Sequence, residues 1–75
     1  MAEKSWRAEA RRRWGKKAIR INGDGQYAFL TWCRVLEVTL LSTRAEAEEL
    51  KENVDRTACG GGCTGDHEII DLSIT

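Results

Sequence analysis

The sequence predicts an α+β fold, and three observations lead there. Residues 17–22, 26–33 and 35–41 are apolar or alternating in the manner of strands. Thr43-Arg-Ala-Glu46 is a capping box that opens a helix. A fourth alternating stretch, 68–75, follows a glycine-rich loop. The expected architecture is an N-terminal helix or arm, a three-strand antiparallel meander, one helix packed on the sheet, and a C-terminal fourth strand completing a mixed sheet. Residues 1–14 form the basic helix or arm, and residues 15–75 a single α+β domain.

Each element has its own signal. In residues 3–14, Ser5 is placed to cap a helix, and Trp6, Ala10 and Arg13/Trp14 recur at three- and four-residue intervals. That apolar stripe is thin, so the helix is marginal unless it packs on something. In 17–22, Ile19 and Ile21 fall on one face of a strand and Ala18 and Arg20 on the other. Asn22-Gly23-Asp24-Gly25 reads as a hairpin turn, because Asn and Gly tolerate positive φ. A phosphate-cradling role for these glycines is weak, since no helix follows them.

Strand 26–33 is apolar on both faces, with Tyr27, Phe29 and Cys33 on one and Ala28, Leu30 and Trp32 on the other, so it should be central. Arg34 marks a break. In 35–41, Leu36, Val38 and Leu40 point to the core while Glu37 and Thr39 face water. The helix from Thr43 runs to about Ala58, with Ala47, Leu50, Val54 and Ala58 as its apolar stripe and Glu52 and Arg56 spaced for an ion pair. In the last strand Ile70, Leu72 and Ile74 share a face, and the strand should return by a right-handed crossover, parallel to its neighbour.

Seventy-five residues bury little surface, so a staple or a partner would help such a chain fold. The apolar fraction of 41% is nonetheless enough for a core. No apolar run is long enough to span a bilayer, and Met1 leads into charged residues and not into a secretory h-region. An intracellular, cytoplasmic protein with reduced thiols is therefore expected, with no membrane partner.

The net charge is zero, yet the halves differ sharply. Residues 1–34 hold nine Lys or Arg against three acids, a net of +6; residues 35–75 hold three against nine, a net of −6. Such polarity suits a basic face with an anionic partner, head-to-tail association of copies through opposite charge faces, or a basic arm folded over the acidic helix. Trp6 and Trp14 flank Arg11, Arg12 and Arg13, with Lys16, Lys17 and Arg20 just beyond. Indole rings stack on bases while cations pair with phosphates. The same tryptophans would equally close one edge of a small core.

Cys59, Cys63 and His67 follow at intervals of four around three glycines, and Cys33 ends a strand. Together Cys33, Cys59, Cys63 and His67 make a candidate Cys3His structural zinc site, whose binding energy would aid folding. Four protein ligands leave no open position, so that site would not be catalytic. The spacing departs from the usual Cys-x2-Cys knuckle. Cys59 and Cys63 could instead close a disulfide across the glycines, or all three could be plain thiols. A nucleophile pair of Cys63 and His67, with Asp66 or Glu68 orienting the ring, has little room for a substrate cleft around it. No catalytic residue is assigned, and the chain is expected not to be an enzyme.

Three stretches carry a resemblance: Arg-Arg-Trp-Gly-Lys-Lys (12–17), Gly-Asp-Gly-Gln-Tyr-Ala (23–28) and the run from Asp55 to Ile69. They resemble small uncharacterised accessory proteins of actinobacterial bacteriophages, which implies a non-structural role in the cytoplasm of an infected cell. Trp14-Gly15-Lys16 and Thr43-Arg-Ala-Glu-Ala47 are also similar to motifs of the AP2-type DNA-binding domain, three strands followed by a helix. The chain departs from that pattern by an apparent extra strand between the two motifs and another after the helix.

The functional expectation is a non-catalytic binding protein that docks on a host or viral protein through its basic, Trp-bearing N-terminal segment. The alternative is a nucleic-acid-binding module that uses the same residues. The acidic half counts against the alternative, because it would repel a duplex on its side.

Overall fold

The computed structural model describes residues 5–33, 35–57 and 66–74. In chain order these form helix α1 (Trp6–Trp14), strands β1 (Ala18–Gly23), β2 (Tyr27–Cys33) and β3 (Val35–Leu41), helix α2 (Arg44–Thr57), strand β4 (Asp66–Asp71) and a closing 3-10 turn, Leu72–Ile74. The α+β class holds: an N-terminal helix, a mixed four-stranded sheet and a second helix packed upon it. Arg34, Ala58, Cys59 and Cys63 lie outside the described residues.

The strand order is β1-β3-β2-β4, and this corrects the expected meander. β1 lies parallel to β3 and is not paired with β2. β2 pairs antiparallel with β3 on one side and with β4 on the other. The reason is burial. β2 is apolar on both faces, and β3 buries Leu36, Val38 and Leu40. These two strands take the central positions, while β1, with exposed Arg20 and Asn22, takes an edge. β4 is antiparallel to its neighbour β2, not parallel as expected. It does run parallel to β3, with β2 between them.

Asn22 to Gly25 therefore closes no hairpin. It carries the chain over the end of β3, since Gly23 pairs with Leu40 and Tyr27 with Leu41. Gly23 and Gly25, on either side of Asp24, make this crossing possible. Gly23 has φ +75°, a left-handed conformation that side chains disfavour. A Cβ on Gly25 would lie 2.2 Å from the Leu41 carbonyl oxygen.

Two further expectations shift. A bulge between Ala18 and Arg20 breaks the alternation of β1. Ala18 and Ile21 pack at the core, while Ile19 stands 64% exposed and does not share a face with Ile21. The last strand also stops at Asp71. Its carboxylate Oδ1 accepts the Ser73 backbone N–H at 2.9 Å and the Ser73 hydroxyl at 2.7 Å, turning the chain. The Leu72 N–H bonds the Gln26 carbonyl at 2.9 Å, Leu72 is buried, and Ile74 is left exposed.

The two helices cover opposite sheet faces. Ala10 of α1 is fully buried in one cluster with Ala28, Leu30, Leu36, Val38, Leu40 and Leu72. Phe29, which points the other way, is buried on the face that α2 covers, and Ala47 is the buried residue of α2 itself. Both helices are capped as their sequences require. Ser5 Oγ accepts the Ala8 N–H at 3.3 Å, and Asp24 Oδ1, reaching over from the β1–β2 link, accepts the Arg7 N–H at 2.9 Å. In the capping box the Glu46 N–H donates to Thr43 Oγ1, and the Thr43 N–H donates to Glu46 Oε1, both at 3.2 Å.

Candidate binding site

The last turn of α1 and the link into β1 build a basic corner. Arg11, Arg12, Arg13, Gly15, Lys16 and Lys17 line an open recess of about 540 Å³. Part of this charge has a local purpose, since cations in a last helical turn oppose the partial negative charge of the C-terminus. Part is neutralised: Glu9 accepts from Arg12 Nε and from Arg13 Nε, each at 3.1 Å. The Arg12 bond first, then Arg13, holds the Glu9 carboxyl below its ordinary range, and the same contact raises Arg12 above its own. Arg11, Lys16 and Lys17 are exposed and form no ion pair among the described residues. They make the recess electropositive.

Arg20 does not line this recess. The bulge aligns it with Glu37, which it approaches at 3.7 Å. Trp6 and Trp14 are half-buried and pack against the core, the structural one of their two expected roles. Arg13 Cζ lies 5.9 Å from the Trp14 ring centroid, so the guanidinium partly covers that ring. The tryptophan that reaches solvent is Trp32, 43% exposed at the end of β2. Sequence reasoning assigned it to a core face, because strand alternation does not reveal where the covering helix ends.

On the opposite side of the sheet, α2 and β4 enclose a second open groove of about 500 Å³, lined by residues of both signs including Arg44, Glu48, Lys51, Asp55 and His67. His67 wedges between these elements with its side chain 9% exposed, its ring centroid 5.9 Å from that of Phe29. Its Nδ1 meets Asp55 Oδ1. An ionised carboxylate only accepts, so Nδ1 carries the proton. This bond, followed by one from Lys51 Nζ at 2.7 Å, holds the Asp55 carboxyl below its ordinary range. A metal bound by His67 would take Nε2, with Asp55 fixing the ring.

Of the other three candidate zinc ligands, Cys59 and Cys63 lie outside the described residues. Cys33 ends β2 one residue past the Trp32–Asp66 pair, so its backbone reaches the sheet end where β4 begins. Among the described residues, no group of three or more His, Cys, Asp or Glu is arranged to hold a metal. No described helix is long and apolar enough to cross a membrane. No protein-family model, curated protein or solved structure matches the chain.

Proposed function

We propose that this chain is a non-catalytic binding protein whose contact surface is the α1–β1 corner and whose partner is nucleic acid. The observation that carries the reading is the recess in which Arg11, Lys16 and Lys17, which form no ion pair among the described residues, stand beside Arg12 and Arg13. A concave cluster of cations suits a phosphate chain, which gains affinity by releasing counterions. The objection from the acidic half weakens with the helices on opposite sheet faces. Stacked layers lie about 10 Å apart, so the helix axes are roughly 20 Å apart. That exceeds the Debye length of about 8 Å at physiological salt. In the setting implied by the phage resemblance, the nucleic acid would be host or viral.

The test is an electrophoretic shift with random-sequence DNA at rising salt. Retardation at low salt should fade with a logarithmic slope of about −2 to −4, for three to five phosphates. Absence of retardation at low salt would remove the reading. A second reading, docking on an acidic host or viral protein, is favoured by Ile19, which stands exposed on the outer edge strand β1. Nuclease-treated lysate separates the two: retention of a specific protein that Ile19→Asp abolishes would favour the second.

A further inference from the structure

We infer that the nucleic acid held at this corner is single-stranded, with Trp32 as the platform for one of its bases. The inference rests on the reading above and adds the ligand's form. Trp32 sits on a strand paired on both sides, opposite Leu36 of β3 and Asp66 of β4, so its backbone is held in place before any ligand arrives. Its sheet face is the one that carries α1, but α1 lies over β1 and β3. The residue is left 43% exposed beyond the helix.

The register also sets its distance from the cations. Ala18, the residue after Lys17, pairs with Leu36, and Leu36 pairs with Trp32. Two inter-strand steps are about 10 Å, within reach of one oligonucleotide. A duplex keeps its base faces inside the stack, whereas a single strand offers each face to an aromatic ring. Trp32 supplies what Trp6 and Trp14, engaged with the core, do not.

The experiment is an anisotropy titration of the full chain with a labelled single strand, a duplex of equal length, and inorganic polyphosphate as competitor. The single strand should bind more tightly than the duplex. Trp32→Ala should weaken it about 10-fold, while Trp32→Phe retains most of the affinity and polyphosphate competes equally against both variants. A readout free of substitution accompanies it: the single strand should shift the indole N–H resonance of Trp32 and leave those of Trp6 and Trp14 in place. Unchanged affinity in a folded Trp32→Ala variant, or an unmoved Trp32 resonance in the saturated complex, overturns the inference while leaving the nucleic-acid reading intact. Failure of all three probes to bind overturns both.

Discussion

Asp55 and His67 join residues twelve apart in sequence, and their contact ties the second half of α2 to β4. Because the Asp55 carboxyl is held low in the folded chain, its contribution to stability is present above the unfolded value of about 3.9. It is lost as pH falls through the lower folded value. Asp71, held low first by the Ser73 hydroxyl, and Glu9, held low by Arg12, carry the same sign. Tm should therefore fall as the solution is acidified below about pH 4, and Asp55→Asn should reduce that fall. A Tm profile identical in wild type and variant would show that the Asp55–His67 contact adds nothing. At the same scale, Thr43→Ala should cost about 1 kcal/mol in urea unfolding through loss of the cap. Gly25→Ala should cost about 2–3 kcal/mol, because its Cβ meets the Leu41 carbonyl. The cap was legible in the sequence because its two residues are three apart. The Asp55–His67 and Asp24–Arg7 contacts were not, since nothing local announces a bond across elements.

Elements were legible wherever a periodicity was uninterrupted. β3 spans the expected 35–41, and α2 starts at its capping box. β1 departs from the expected alternation because a bulge adds one residue and turns Ile19 outward, and a bulge leaves no mark in a period-2 pattern. The turn segment has the expected positive φ at Gly23 but crosses the end of β3 and closes no hairpin. The same residues that make a hairpin also permit a strand to be straddled, and which occurs depends on which strands most need burial. For α1, the thin stripe becomes a packed helix because Ala10 is buried in the core cluster, with Trp6 and Trp14 packed beside it. Ala10→Glu should therefore unfold α1 and with it the recess: far-UV helicity falls and low-salt DNA retardation is lost together. Loss of retardation with α1 intact would uncouple the helix fold from binding. Lys16→Glu with Lys17→Glu should keep the fold, weaken DNA binding and flatten the salt slope by about 1–2 units.

For the whole molecule, the basic helix α1 and the acid-rich helix α2 lie on opposite faces of the sheet. The charge asymmetry was plain from composition. Its spatial meaning was not, because that depends on the helices lying on opposite sides. The recess was partly legible: Arg11, Arg12, Arg13, Lys16 and Lys17 converge as their adjacency suggests, but Arg20 leaves with Glu37. The zinc proposal keeps its own test, native mass with and without chelator. A metal-bearing mass that chelator strips would support Cys33, Cys59, Cys63 and His67 as the ligand set; a two-dalton deficit with no metal would point to a Cys59–Cys63 disulfide. The basic corner is most directly tested by mapping amide resonances of the intact chain during titration with a short DNA strand. Shifts should concentrate at residues 11–17. Shifts concentrated in the α2–β4 groove, or no shifts at low salt, would contradict it.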